Sequence, residues 1–295
     1  MSQIVAITAS PTSQTYALGA VQRRTRKVAN FLAPSVPVTS AHAIYKAWNE
    51  KSRFFIPNSV RALGGDGAEV GIEATDAFLD CFPHALNNTV DRSLGDNVDL
   101  LAKDSSDLLA DIYGLAHLFE VVTTAKAAAG AGENIDFTSG AVDPIAVIDA
   151  HINSVLLAGK CEQAGVLFGA TAWNAFKNNA AVRQGRGPLN WELNPSLFNA
   201  DAEFRSCFSV IDTAPEGVDA VMDFLLKDTI LIFGTQAEPT RRDPSFMKTF
   251  RVEGQEEILR IIPTQDGRKL RVMLDWVAEV RVTNSAAVKR INCLP

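Results

Sequence analysis

The chain has 295 residues, 47% of them hydrophobic, a mean hydropathy of +0.05 and a net charge of −6. That is enough apolar sequence for one large or two small cored domains. No run of eighteen apolar residues is present, which argues against a membrane-spanning helix. The start lacks the charged-then-apolar order of a cleaved secretion signal, and although it is acid-free like an organelle transit peptide, residues 28–38 make a poor amphipathic helix.

Residues 1–49 hold five Lys/Arg (Arg23, Arg24, Arg26, Lys27 and Lys46) and no Asp or Glu. With Glu50, Lys51 and Arg53 the first sixty residues carry +6, which leaves −12 for the rest of a chain at −6. A basic arm on an acidic body suits docking on another copy of that body, or on nucleic acid, through long-range steering. The alternative is a solvated terminus. The cluster at 23–27 is too short, and lacks the interleaved aromatics, for specific nucleic-acid reading.

Residues 28–38 read VANFLAPSVPV, with Phe31, Leu32, Val36 and Val38 apolar. Pro34 and Pro37 forbid a helix interior, so an extended strip is predicted. It packs along a preformed surface, its own or a neighbour's, or is an ordinary edge strand. Residues 41–48, AHAIYKAW, mix aromatic and β-branched residues as a strand does. Residues 50–71 carry turn signals at Pro57-Asn58 and at Gly64, Gly65, Gly67 and Gly71, predicting a long two-stranded excursion that needs something to lie on. Residues 73–90 alternate partly through Phe78 and Cys81, as another strand and its exit.

A helix begins at Asp96 or Asn97, with capping chemistry at its head and Asp99 and Asp104 early in it. It runs to about Ala129. Leu101, Leu108, Ile112, Leu115, Phe119 and Val122 fall largely on one stripe, the expected buried face. About thirty-three residues at ~1.5 Å each make roughly 50 Å of helix, a spine. Gly114 weakens it by up to ~1 kcal/mol relative to Ala. Asp104, Asp107 and Asp111 read as a solvated acidic face rather than a metal face.

A glycine-rich link at 130–140, holding Ile135, Asp136 and Phe137, leads to a second helix opening at Asp143-Pro144, with Asp as N-cap and Pro at its first position. Ile145, Ile148, Ile152, Val155 and Leu156 supply its buried face. Residues 165–169 are a short buried strand, after which Thr171 is expected to cap a helix carrying Trp173 and Phe176. This is a compact α/β unit. Residues 183–197, with Gly185, Gly187, Pro188 and Pro195, form a peripheral loop. Strands follow at 208–211, 229–233, 250–252, 258–262 and 270–282, divided by turns at Pro239, Pro244 and Gln265-Asp266-Gly267. The later ones predict an antiparallel sheet packed on the spine helix.

No catalytic signature is met: there is no G-x-S-x-G elbow and no G-x-x-x-x-G-K-[ST] cradle. The four cysteines, Cys81, Cys161, Cys207 and Cys293, are spaced too widely for a zinc or redox motif and read as buried free thiols of a reducing compartment. His42, His84, His117 and His151 lie 33 or more residues apart, so none forms the i, i+4 pair of a zinc helix. No metal, cofactor or catalytic residue is expected. An enzyme site assembled from scattered residues such as His84, Asp212 and Arg241 stays open.

Taken in order, these pieces resemble the major capsid protein of tailed bacteriophages. FLAPSVPV is similar to that family's F-x-x-P-x-V-P-V opening, and RFFIPNSVRALGGDGAEV to its Arg-aromatic and Arg-Ala-x-Gly loop segment. DPIAVIDAHI followed by VLFGATAWNAFKNN resembles the axial-domain helix, strand and helix. KDTILIF followed by DPSFMKTF resembles the strand and connection that lead back to the peripheral sheet. The similarity spans about residues 28–291, and the order of the motifs carries it.

The resemblance implies an α+β fold: arm (1–45), extended hairpin loop and exit strand (46–95), peripheral domain with the spine helix (96–142), α/β axial domain (143–240) and a return to the peripheral domain (241–295). It implies a structural protein, not an enzyme, that self-assembles as hexamers and pentamers into an icosahedral head shell around a double-stranded DNA genome. The alternative is an encapsulin-type shell with protein cargo. Arg23, Arg24, Arg26, Lys27 and Phe31 in the arm, and Arg53, Arg61 and Glu69 in the hairpin, are the implied intersubunit contacts. The 183–197 loop would point towards the capsomer axis.

The implied partners are a portal, packaged DNA contacted non-specifically, and a scaffolding protein. That scaffold is expected to be separate, because no long scaffolding segment precedes the arm. A decoration protein is left open, and no membrane is involved. The location is the virion, after assembly in the bacterial host cytoplasm. Two departures are the ending SAAVKRI, which lacks a small glycine-containing motif, and a Lys-Asn crosslink that maps onto neither Lys46 nor Lys51.

Overall fold

Where the prolines predict extended chain from residue 28, the structure has a helix, α1 (Arg24–Leu32). Pro34 and Pro37 restrict the residues just before them, Ala33 and Val36, which lie past the last helical residue. Within RTRKVANFL the spacing brings Val28, Ala29 and Leu32 to one fully buried face. Only β1 (Ser35–Val38) is extended. The computed structural model describes residues 24–48, 74–91, 98–184, 201–204, 208–211, 221–255, 257–264 and 268–293.

Along the chain follow β2 (His42–Trp48), β3 (Ala74–Asp80), β4 (Phe82–Asp91), the spine helix α2 (Val98–Ala129) and β5 (Glu133–Asn134). Then come α3 (Pro144–Gly159), β6 (Gln163–Phe168), α4 (Ala170–Asn178), α5 (Ala180–Gln184), β7 (Asp201–Phe204), β8 (Phe208–Ile211) and β9 (Val221–Phe224). β10 (Thr229–Thr235), β11 (Met247–Val252), β12 (Ile258–Pro263), β13 (Lys269–Val282) and β14 (Val288–Asn292) complete the order.

The first sheet runs β1-β11-β13-β12, with β4 also paired to β13. It is mixed rather than purely antiparallel, because β1 lies parallel to β11 with Val36 opposite Phe250. Alternation along β13 gives the sheet two packed faces. Val272, Leu274 and Trp276 meet Leu109, Ala110 and Tyr113 of α2. Val277 and Phe250 point the other way, to Val36, Val38, Tyr45 and Leu79. The order of layers is helix, sheet, hairpin.

The second sheet, β5-β14-β10-β6-β7, is covered on both faces. Val166, Phe168, Ile230 and Ile232 pack with α3 and α4. Leu167, Leu231 and Phe233 pack with α1 and the C-terminal half of α2. Burial on both sides explains why β6 and β10 read as continuous apolar runs. β14, within the 241–295 stretch expected to return to the first sheet, pairs with β10 here instead.

The buried face of α2 differs from the expected stripe. Leu108, Ile112 and Phe119 are 51%, 43% and 49% exposed, Leu101 and Leu115 are half-buried, and of the predicted set only Val122 is fully buried. The face against the first sheet is instead Ala102, Ser105, Ser106, Leu109, Ala110 and Tyr113. Small residues let the helix approach the sheet closely, and the large aliphatics on the other stripe face away. By length and composition 100–129 also passes for a membrane-crossing helix, but half of its apolar eighteen-residue stretch is buried inside this fold.

Helix starts follow local chemistry in one case and tertiary structure in another. The α3 cap is as expected: Asp143 Oδ1 accepts from Ile145 N at 3.0 Å, and Pro144 is the first helical residue. Thr171, expected to cap α4, lies inside the helix, and Gly169 holds the cap position with no side-chain bond. The first amides donate to a neighbouring loop: Ala170 N to Leu226 O, and Thr171 N and Ala172 N to Lys227 O. Carbonyls more than fifty residues along the chain do the work of a cap, so no local signal marks this start.

A buried polar cluster joins the two sheets. The Lys248 ammonium, wholly shielded from solvent, pairs with Asp243 Oδ2 at 3.0 Å and donates to Asp243 O at 2.8 Å. Asn284 Nδ2 donates to Gly159 O and Pro244 O at 2.7 and 2.8 Å, and Thr283 Oγ1 to Ser245 O at 2.6 Å. Cys161 Sγ approaches Pro244 O at 3.1 Å.

Burial pushes the thiols up, to about 11 for Cys81 and about 12 for Cys161 and Cys293, with nearby carboxylates adding to the effect. Cys207 lies outside the described residues. A thiolate reagent at neutral pH is therefore expected to leave these three unlabelled in the native protein and to label them after denaturation, as intact and peptide mass spectrometry would read. Fast native labelling at any of the three would contradict their burial.

Candidate assembly surface

β2 and β3 form the antiparallel base of the expected excursion, in register from His42 opposite Asp80 to Trp48 opposite Ala74. The chain between them, 49–73, lies outside the described residues and holds Arg53, Arg61, Glu69 and the glycine cluster. Alternation divides the base into two faces. Tyr45 and Leu79 point inward, with the Tyr45 ring 5.5 Å from that of Phe250. Ile44 and Phe78, directly opposite each other, point outward at 53% and 78% exposure. Beside them His42 Nδ1 meets Asp80 Oδ1 at 2.7 Å, and just past the base Phe82 is also exposed.

An exposed cross-strand Ile-Phe pair on a hairpin that is already packed on its other face has the character of an interaction surface. The sequence contains its signal. In HAIYKAW and ATDAFLD apolar residues occupy both parities, so each strand has two apolar faces, and a single underlying sheet can cover only one.

The expected arm residues are differently placed. Arg23 lies outside the described residues; Arg24, Arg26 and Lys27 lie on α1, with Lys27 exposed. Phe31, expected to touch a neighbour, packs edge-on against Phe233 of its own chain, centroids 5.2 Å apart. Gly165 makes room for this contact, since a Cβ there would sit 2.5 Å from Phe233 Cζ and 3.0 Å from Phe31 Cζ. From residue 24 onward the arm belongs to its own core.

Other titratable groups have structural partners. His84 stacks on Trp276 at 5.3 Å, His117 Nε2 lies 3.1 Å from Thr249 Oγ1, and His151 Nε2 lies 3.2 Å from Glu133 Oε2. Arg241 Nε donates to Pro37 O at 3.3 Å, and Asp212 is outside the described residues. Among the described residues no group of three or more His, Cys, Asp and Glu is placed to hold a metal. Burial, with Glu279 nearby, pushes the Glu120 carboxyl up. Two hydrogen bonds from Thr138 hold Asp136 down.

No family model and no curated protein matches the sequence. Solved structures do. A phage-related protein from Bordetella bronchiseptica RB50 is similar at TM-score 0.73 and 15% identity, over 97% of each chain. The mature capsid of bacteriophage PhiM1 is similar at 0.53 and 12%, over 90% of this chain and 87% of that one. A virus-like particle from Pyrococcus furiosus is similar at 0.53 and 10%, over 94% and 96%. At these identities the likeness establishes architecture: the chain has the fold of phage capsid shell subunits.

Proposed function

We propose that the chain is the major capsid protein of a tailed bacteriophage, a structural subunit that assembles as hexamers and pentamers into an icosahedral head shell around double-stranded DNA. The observation that carries this reading is the fold likeness to the PhiM1 capsid over 90% of this chain and 87% of that one, beside the likeness to a phage-related protein over 97% of each chain. The outward Ile44-Phe78 pair supports it, because a shell subunit needs apolar surface reserved for other copies. Such a protein works by contact and is not an enzyme.

The arm (1–45), hairpin (46–95), peripheral (96–142, 241–295) and axial (143–240) divisions then have distinct tasks. The hairpin crosses an adjacent copy through Arg53, Arg61 and Glu69, and the basic cluster Arg23, Arg24, Arg26 and Lys27 lies at a further contact between copies. Each exposed charge pair is worth only about 0–1 kcal/mol, so stability comes from many contacts and from apolar area at ~25 cal/mol per Å². A separate scaffolding protein and a portal are the expected partners. DNA is contacted non-specifically, and the protein resides in the virion after assembly in the host cytoplasm.

Electron microscopy of the purified protein, with and without a co-expressed scaffold, tests the reading. Closed shells, with DNA in particles from infected cells, are the expected result. A small monodisperse oligomer by light scattering would overturn it, and shells filled with protein cargo would replace it with a compartment function.

A further inference from the structure

Beside the C-terminal end of α2, the second sheet carries a basic pocket of about 450 Å³. Its floor is a row across three strands, Asn134 of β5, Asn292 of β14 and Thr229 of β10, in register with one another. Arg290 lies two residues before Asn292, on the same face of β14. Lys126 enters from the last turn of α2, and Lys227 and Asp228 from the link between β9 and β10. Three cations against one carboxylate give the pocket a charge of +2 on a chain at −6. The cations stand far apart in sequence, so only the fold brings them together.

We infer that this pocket binds a phosphate group. Arg290 is fixed in advance: its Nε donates to Asn292 Oδ1 at 2.8 Å and its Nη1 to Gly130 O at 3.1 Å. Asn292 is held in turn, with Nδ2 donating to Ala131 O at 2.8 Å and to Asn134 Oδ1 at 2.9 Å. These bonds leave the guanidinium further N–H groups for an oxyanion, and a fork already immobilised loses little entropy on binding one.

The same bonds remove the usual objection to an anion at a helix C-terminus. The carbonyls there already accept: Ala127 O from Gly130 N, Gly130 O from Arg290 and Ala131 O from Asn292. Lys126 Nζ donates to Leu225 O at 3.0 Å, tying the end of α2 to the β9–β10 link. That link is anchored on its other side, where Lys227 O accepts from Thr171 N and Ala172 N. The exposed Lys227 ammonium therefore extends from a fixed backbone. Cations on three separate walls suit a tetrahedral anion with several acceptor oxygens better than a carboxylate, whose two oxygens share one plane. The phosphate comes either as the free ion or from a nucleic-acid backbone.

The test uses the full-length subunit before assembly, so its outcome does not depend on whether the chain forms shells. Inorganic phosphate is titrated calorimetrically at constant ionic strength set with chloride, and a short double-stranded DNA is titrated in parallel. Saturable binding is expected: of phosphate if the free ion is the ligand, of the DNA alone if the source is a backbone. Lys227→Gln should weaken it about tenfold, the loss of one charge-assisted hydrogen bond, with the denaturant midpoint in chloride unchanged. Lys289→Gln should leave binding unchanged, because Lys289 is exposed on the opposite face of β14, in register with Ile232. No saturable binding of either probe would overturn the inference. So would binding that Lys227→Gln does not weaken, or that both substitutions weaken equally, since the chain's overall charge would then account for it.

Discussion

Asp243→Ala is expected to destabilise the subunit by about 3–5 kcal/mol, because it leaves the Lys248 ammonium buried without its counter-charge. Denaturant unfolding of the unassembled protein measures this. Adding Lys248→Met should recover much of the loss, since a buried pair exchanged for apolar residues is often neutral. Equal instability of the single and double variants would show that packing at the joint, rather than the stranded charge, sets the cost.

The same pair gives a pH dependence. Burial pushes the Asp243 carboxyl up, but the Lys248 charge and the hydrogen bonds from Ser245 and Thr240 outweigh it and hold the group below the ordinary aspartate range. A depressed carboxyl contributes stability that is complete above its unfolded pKa and is lost as pH falls through the folded one. Acid unfolding of the wild type should therefore steepen below the ordinary aspartate range, and Asp243→Asn should flatten that limb. Burial also lowers Lys248, with Asp243 opposing it; a lysine lowered on folding adds stability as pH rises from its folded towards its unfolded pKa, so this group does not bring the alkaline limb forward.

Ile44→Ser/Phe78→Ser is expected to leave subunit stability within about 0.5 kcal/mol, since both side chains are already largely in water. On the shell reading its effect on assembly is large. A buried aromatic removes about 150–250 Å² from water, which at ~25 cal/mol per Å² is several kcal/mol for every copy. Particle yield by sedimentation should fall by more than about tenfold, with soluble subunit accumulating. Normal particle yield would remove the hairpin's outer face from the assembly surface.

Sequence made some features legible and hid others, for identifiable reasons. Strands flanked by turn residues, the Asp143-Pro144 start and the length of the spine all follow from local chemistry, and the structure has them within a few residues. Which stripe of α2 is buried does not follow, because the helix carries two. The helix–sheet gap admits Ala102, Ser105 and Ala110 where periodicity favours Leu108 and Ile112. α1 was hidden by prolines that lie just beyond it, and the α4 start by carbonyls supplied from residues 226 and 227. Of the expected contact residues, Phe31 is in its own core and Lys27 is exposed. Ile44 and Phe78 were findable only by asking why a peripheral strand is apolar on both sides.

The order helix, sheet, hairpin has a vectorial consequence. The outward pair on the hairpin base and the outer stripe of α2 stand on opposite sides of one sheet, so the subunit is polar across its thickness. In a closed particle every copy keeps the same orientation. An impermeant label added from outside would then modify the vicinity of Phe78 or that of Phe119, not both, and which one reacts reads out which side of the wall faces the world.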